Sequence, residues 1–334
     1  MPDERFLIVK LGSLGDVVFT LPAVAALRDA YPEARIDWVI DRRWYPLLER
    51  NPELTDVVIL DRESVGSFCF AAWKLRTRHY TCAIDFQGLY KSAFLARFSG
   101  APERIGLSRR LARESAASLF YTHRVSPTRP HMVERNLELV AALGVQTSRY
   151  RFPLFVRPEA EARLNEKLAA EGVGEFFVLS PGGGWRSKCW PPERYGALHR
   201  ELARRTGLRG VVSYAPGERD LAEAVRRAAG APEPAVIDID VAQLMPLVRR
   251  ARFVVAGDSG PLHLAGAFGT AVVGLYGPTP PERNGPFNEA DVVVRNARPE
   301  ETTFRRGDEY SPSMLSITVE QVVTAVERRL GTLA

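Results

Sequence analysis

Short apolar runs alternate with longer amphipathic stretches from the start of the chain. Phe6–Lys10 is a continuous apolar run, a glycine-containing loop follows, and Val17–Tyr31 has helical spacing. The pattern continues with strand-like Ile36–Ile40, a helix around Tyr45–Arg50, strand-like Asp56–Leu60, a helix around Phe68–Arg78, strand-like Cys82–Phe86 and a helix around Tyr90–Phe98. The strand-like runs do not alternate strictly between apolar and polar, which predicts a parallel sheet covered on both faces. A helix over Met132–Leu143 stops at Gly144, and Val145–Pro158 loses periodicity around Pro153 and Pro158.

The same rhythm then restarts. Phe176–Ser180, Gly210–Tyr214, Val236–Ile239, Phe253–Ala256 and Ala271–Tyr276 read as strands; Glu193–Thr206, Glu218–Ala229 and Gln243–Arg250 read as helices. Thr318-Val319-Glu320-Gln321 has the form of a capping box that starts a terminal helix to about Leu330. The expected fold is α/β, two Rossmann-like doubly wound domains in series: residues 1–150, residues 151–315, and a terminal helix in 316–334 free to pack back on the first domain. Ligands of such sheets bind at the carboxyl ends of the strands, so the chemistry is expected in the βα loops facing an interdomain cleft.

The length of 334 residues suits two domains. A hydrophobic fraction of 46% and a charged fraction of 25% are those of a globular protein, and no apolar stretch approaches the ~20 residues that span a bilayer. The acidic start Met1-Pro2-Asp3-Glu4-Arg5 is unlike a secretory signal, and Cys69, Cys82 and Cys189 have no paired spacing. A cytoplasmic protein with reduced thiols is expected. The net charge of +5 would suit an anionic partner or a merely solvated arginine-rich surface, and does not choose between them.

Three loops could carry chemistry. In Lys10-Leu11-Gly12-Ser13-Leu14-Gly15-Asp16 the glycines let backbone approach a ligand, and Asp16 stands at a helix start, where it either caps the helix or faces the cleft. The loop is neither a dinucleotide fingerprint nor a P-loop. A helix start also favours the charged carboxylate and so lowers its basicity. In Ser180-Pro181-Gly182-Gly183-Gly184-Trp185-Arg186-Ser187-Lys188-Cys189-Trp190-Pro191 three glycines expose N–H groups to anionic oxygens, while Arg186 and Lys188 add full charges suited to a pyrophosphate. The third loop, Ala256-Gly257-Asp258-Ser259-Gly260-Pro261-Leu262-His263, sets small residues beside an acid and a histidine, with packing as the alternative for His263. No Gly-x-Ser-x-Gly elbow accompanies them, so a serine hydrolase is not expected. Asp238-Ile239-Asp240 has metal-binding spacing but ends a strand, and the five histidines are scattered, so neither metal nor cofactor is expected.

With these loops in view the chain resembles the ADP-heptose:lipopolysaccharide heptosyltransferases, glycosyltransferase family 9, which have the GT-B fold. The matching segments are Gly15-Asp16-Val17 with Thr20-Leu21-Pro22-Ala23, Ile84-Asp85-Phe86-Gln87-Gly88-Leu89-Tyr90-Lys91-Ser92-Ala93, Ala112-Arg113-Glu114 with Ser118-Leu119-Phe120-Tyr121, Lys188-Cys189-Trp190-Pro191, and Asp258 to His263. The second and third look most like the type I enzymes. The resemblance implies inverting, metal-independent transfer from ADP-L-glycero-β-D-manno-heptose to Kdo of the lipopolysaccharide inner core. Asp16 matches the general base, and Lys188 the residue stabilising the departing ADP. Gly183, Gly184, Glu218, Asp258, Ser259, Gly260 and His263 match the donor side; Gly15, Lys91, Arg113 and Arg135 match the acceptor side.

Two departures stand out. Gly183-Gly184 replaces a frequent hydroxyl pair, leaving backbone contacts to phosphate, and Ser259 replaces a frequent threonine. A relative using another nucleotide sugar, or an epimerase acting on one, is the alternative; a two-lobed solute-binding protein is a remoter one. Arg42, Arg43, Arg109, Arg110 and Arg113 could present a basic face to an anionic inner-membrane surface at its cytoplasmic side, and no nucleic-acid partner is expected.

Overall fold

A computed structural model of the chain describes residues 4–61, 63–147 and 149–331. Two compact units divide it, Met1–Phe155 and Val156–Ala334, and the division falls inside the aperiodic stretch Val145–Pro158.

The first unit runs β1 (Arg5–Val9), α1 (Leu14–Val18), α2 (Leu21–Ala30), β2 (Arg35–Asp41), β3 (Asp56–Leu60), α3 (Val65–Arg76), β4 (Cys82–Asp85), α4 (Tyr90–Phe98), β5 (Glu103–Leu107), β6 (His123–Val125) and α5 (Met132–Ala141). Its six parallel strands lie in the order β3-β2-β1-β4-β5-β6. The second unit runs α6 (Pro158–Ala170), β7 (Phe176–Ser180), α7 (Pro192–Thr206), β8 (Arg209–Tyr214), α8 (Arg219–Ala229), β9 (Ala235–Asp238), α9 (Val241–Arg250), β10 (Phe253–Gly257), α10 (Gly260–Ala267), β11 (Ala271–Tyr276), α11 (Pro281–Asn284), β12 (Val292–Arg295), α12 (Pro312–Leu315) and α13 (Val319–Leu330). Its order is β12-β11-β10-β7-β8-β9, the same winding as the first sheet. In each sheet the winding reverses beside the unit's first strand, between β1 and β4 and between β7 and β10. Such reversals open a crevice at the carboxyl edge, where open α/β sheets take ligands.

The central strands are buried along their length, which explains their unbroken apolar runs: Leu7, Ile8 and Val9 in the first unit, Phe177, Val178 and Leu179 in the second. Several elements differ from the sequence reading. The helix expected over Val17–Tyr31 is two helices, because Pro22 has no N–H to continue α1 and begins α2 instead. The expected helix at Tyr45–Arg50 is a 3-10 turn at Arg42–Leu47 containing Pro46, capped by Asp41 accepting from the Arg43 N–H. Strands β5, β6 and β12 and helices α6, α11 and α12 lie outside the elements expected from sequence. The polar, three-residue β6 is an edge strand, where short length and charge are normal.

The terminal helix is also corrected. Thr318 and Gln321 form the expected capping box, at 3.2 and 2.9 Å. The apolar face of α13, Val322, Val323 and Val326, is buried in the second unit's core with Trp190 and Ile317. It is therefore spent on the second unit, not on the first.

Candidate active site

At the first unit's reversal the loops after β1 and β4 are tied together. The buried Lys10 Nζ donates to the Phe86 carbonyl at 3.1 Å and lies 3.5 Å from Asp16 Oδ1. Gln87 Oε1 accepts from the Leu11 N–H, and the Trp38 indole N–H holds the Lys10 carbonyl at 2.8 Å. Gly12 has φ +137°, and a Cβ there would strike the Trp44 ring at 2.4 Å, so the loop needs glycine at this point.

Asp16 sits in the first turn of α1. Its Oδ2 accepts from the Ser13 N–H at 3.1 Å and the Ser13 hydroxyl at 3.2 Å, while the side chain keeps a third of its surface in solvent. It is thus both a helix cap and an open carboxylate. Burial works against its charge, but the Lys10 cation and the Ser13 hydrogen bonds outweigh that and lower its pKa below the ordinary carboxylate value.

Beside it, Asp85 is fully buried and shapes the second loop. Its Oδ1 accepts from the N–H groups of Gln87 (2.8 Å) and Gly88 (3.2 Å), and its Oδ2 from the Tyr121 hydroxyl at 2.7 Å. Burial raises its pKa in spite of these donors, the Tyr121 hydroxyl first among them. The Glu114 carboxylate accepts from the Tyr90 N–H at 2.5 Å, which sets Arg113 beside Gly88 and near the start of α4, where Lys91 is exposed. Arg135 is half-buried on α5, and the neighbouring Asn136 donates to the Phe19 carbonyl at 2.9 Å, pinning α5 to the end of α1.

The second unit's reversal is more strongly charged. Lys188, at the end of the glycine loop, lies with Nζ 2.5 Å from Asp258 Oδ2, and both side chains are nearly buried. Asp258 Oδ1 is 3.2 Å from His263 Nε2 and accepts from the Asn284 amide at 2.8 Å. Burial opposes the charge on Asp258; the His263 hydrogen bond and the Lys188 cation overcome it and hold the pKa well below the usual range. The Lys188 ammonium also stands 4.3 Å from the centre of the Trp185 ring. An ammonium has three donors, and Asp258 engages one face of it.

Ser259 is the N-terminal flanking residue of α10, and its hydroxyl, like that of Thr279 after β11, is buried without a hydrogen-bond partner. These hydroxyls keep hydrogen-bonding capacity that water or a ligand can take up. Gly184 has open space where a Cβ would lie, and a Cβ on Gly183 would come closest to Cys189 Sγ, at 3.1 Å. Glu218 packs so closely on Gly182 that a Cβ there would reach its carboxylate at 2.3 Å, and its Oε2 accepts from the Ala215 N–H at 3.0 Å.

A family profile described as glycosyltransferase family 9 (heptosyltransferase) matches residues 71–313. The chain belongs to glycosyltransferase family 9. Lipopolysaccharide heptosyltransferase 1 of Pseudomonas aeruginosa is 33% identical over 327 residues, covering 92% of this chain and 88% of that protein. The protein of the same name from Escherichia coli K12 is 31% identical over 88% of this chain and 94% of its own length. The structure of E. coli heptosyltransferase WaaC with ADP-2-deoxy-2-fluoro heptose superimposes with a TM-score of 0.75 at 26% identity, covering 97% of this chain and 99% of that one. Proteins named lipopolysaccharide heptosyltransferase 2 and 3 match at 24 to 26% identity. The chain is a glycosyltransferase with the GT-B architecture of that family.

In this heptosyltransferase-family chain the sequence-expected residues fall into two groups, one per unit. Lys188, Asp258 and His263 touch directly, with Ser259 and Gly260 opening the adjoining helix. Asp16 and Gly15 share α1, while Lys91 and Arg113 flank the Gly88 loop. Two residues at the core of these groups were not singled out from sequence. Lys10 had a signal, since a lysine closing an apolar strand before a glycine loop is unusual. Asn284 had none, because it ends the short helix α11 and meets Asp258 only through a tertiary contact. Of the Asp-x-Asp acids, Asp240 is engaged in capping α9, accepting from the Gln243 N–H at 2.7 Å. Among the described residues, no three His, Cys, Asp or Glu side chains gather as a metal site.

Proposed function

We propose that this glycosyltransferase transfers heptose from ADP-L-glycero-β-D-manno-heptose to Kdo of the lipopolysaccharide inner core, as a type I enzyme, with inversion and without a metal. The observation that carries the reading is the buried Lys188–Asp258 pair at the end of the glycine loop, where a fixed ammonium with spare donors stands close to the unpartnered Ser259 hydroxyl that follows Asp258. A nucleoside diphosphate needs such a fixed cation and exposed N–H groups. The type I assignment draws on the Gln87-Gly88-Leu89 and Arg113-Glu114 segments and on the higher identity to heptosyltransferases 1.

In this reading the acceptor hydroxyl oxygen attacks the anomeric carbon, Asp16 takes its proton, and the sugar–diphosphate bond breaks with its electron pair leaving on ADP. Lys188 and the N–H groups of Gly183 and Gly184 receive the new charge. Asp258, with His263 and Asn284, positions Lys188, while Ser259, Gly260 and Glu218 contact the donor. Lys91, Arg113 and Arg135 face the acceptor's carboxylates and phosphates. The enzyme works at the cytoplasmic face of the inner membrane, with Arg42, Arg43, Arg109 and Arg110 beside the acceptor end of the sheet.

Incubating the protein with ADP-heptose and Kdo2-lipid A should release ADP and add one heptose by mass spectrometry, where UDP- and GDP-sugars give no product. Asp16→Asn and Asp16→Ala should lower turnover about 10²–10⁴-fold, the scale of general-base catalysis, with donor binding retained. Turnover unchanged in both variants removes Asp16 as the base, and transfer from another nucleotide sugar overturns the donor assignment.

A further inference from the structure

Helices α3 and α4 pack side by side on one face of the first sheet in an inverted way. Their small residues face inward: Ala71 and Ala72 of α3, and Ala93 and Ala96 of α4, are buried with Leu75 and Leu95. Their large rings face outward. Phe70 and Trp73 are 61% and 62% exposed, with Tyr90, Phe94 and Phe98 also open to solvent. Phe94 stacks on Phe98 at 4.1 Å and Phe68 of α3 reaches Phe94 at 5.8 Å, while Phe70 lies 6.0 Å from Trp73, so the rings form two clusters on two helices packed side by side. A folded domain gains by burying rings and showing small or polar residues, so two exposed ring clusters on neighbouring helices mark a surface that something covers.

Charge tells what covers it. The two helices, VGSFCFAAWKLR and YKSAFLARF, contain four bases, Lys74, Arg76, Lys91 and Arg97, and no acid. The chain has only five lysines, and two of them stand here. Lys74 has one acid at 4.0 Å, Asp56 on β3; Arg97, Arg76 and Lys91 are exposed. Aromatic rings interleaved with bases match the boundary of an anionic bilayer, where rings sit at headgroup depth and long basic side chains reach the phosphates. The first turn of α4 follows directly on the Gly88 loop at the sheet reversal, so the patch continues outward from that loop.

We propose that the α3–α4 surface is a docking face for an anionic phospholipid bilayer, inserting Phe70, Trp73, Phe94 and Phe98 at the interface while Arg76 and Arg97 engage headgroup phosphates. This stands apart from the sugar chemistry and is tested without it.

The full-length protein should float with phosphatidylglycerol-containing vesicles, bind phosphatidylcholine vesicles at least tenfold more weakly, and lose much of the anionic binding in high salt. The Phe70→Ser/Trp73→Ser variant should partition at least tenfold less into the anionic vesicles, with an unchanged unfolding temperature confirming its fold. Arg97→Glu should weaken only the salt-sensitive part. Equal binding by wild type and the serine variant overturns the proposal. So does a concentration-dependent dimer that the serine substitutions dissociate, in a protein that ignores vesicles, since a second copy then covers the patch. Failure of ADP-heptose as donor would overturn the transfer reading and leave the vesicle result standing.

Discussion

Asp16 and Lys188 face opposite electrostatic problems, and their neighbours solve each differently. Lys188 is nearly buried and neutralised by Asp258, so removing either partner strands a charge and costs about 3–5 kcal/mol of stability. A Lys188 variant therefore mixes folding with chemistry. Asp16 is partly solvated, and when it is changed the buried Lys10 loses its carboxylate but keeps its hydrogen bond to the Phe86 carbonyl, which makes Asp16 the cleaner probe. Its carboxyl is held below the ordinary value chiefly by Lys10, so the base stays ionised as pH falls and kcat/KM should fall off only below the normal carboxylate range. Lys10→Met removes the cation and raises the Asp16 pKa, so the acid limb of the rate profile should move to higher pH. A limb that stays put would show that Lys10 does not set the Asp16 charge. Asp16 and Lys188 were both legible in sequence because glycine-rich βα loops announce themselves. Lys10 and Asn284 were not legible as partners, because Lys10 reaches across to the β4 loop and Asn284 enters from beyond β11, contacts that spacing does not encode.

At the scale of elements, the second unit is held by close backbone and ring contacts between α7 and β8. His199 of α7 is fully buried, and its Nε2 accepts from the Gly210 N–H of β8 at 3.2 Å. A Cβ on Gly210 would meet His199 Cδ2 at 2.4 Å, so glycine is required there for the helix to approach. Burial, with Arg209 and Arg200 nearby, lowers the His199 pKa from 6.5 to about 4. Between those values the unfolded chain binds a proton that the folded one refuses, so stability is present above pH 6.5 and falls with acid until about pH 4. The loss at the acid end is about 3 kcal/mol, from the cost of one pKa unit. Urea midpoints measured across this window should decline for the wild type, and His199→Gln should flatten that decline. Of the elements missed from sequence, β6 has polar edge positions and becomes a strand only by pairing with β5, whereas the break between α1 and α2 at Pro22 was a local signal left unused.

At the scale of the molecule, two sheets of the same winding give two reversals with different equipment, one a carboxylate with a lysine, the other a neutralised lysine with orphan hydroxyls. A nucleotide should therefore act on the second unit by itself. ADP added without acceptor should raise amide protection in Pro181–Cys189 and Asp258–His263 and leave Gln87–Lys91 unchanged. At 100 times its Kd the added stability should be about 2.7 kcal/mol. Protection confined to the first unit's loops would reverse the assignment of donor and acceptor sides.

What the sequence by itself determined was the α/β rhythm, the two-unit division and the glycine loops, because period, turn chemistry and backbone freedom are local properties. Only the tertiary structure decided which charges neutralise one another. It also decided that α13 completes the second core and that α3 and α4 turn their rings outward. Those outcomes depend on which faces meet, and a face acquires a neighbour only when distant segments fold together.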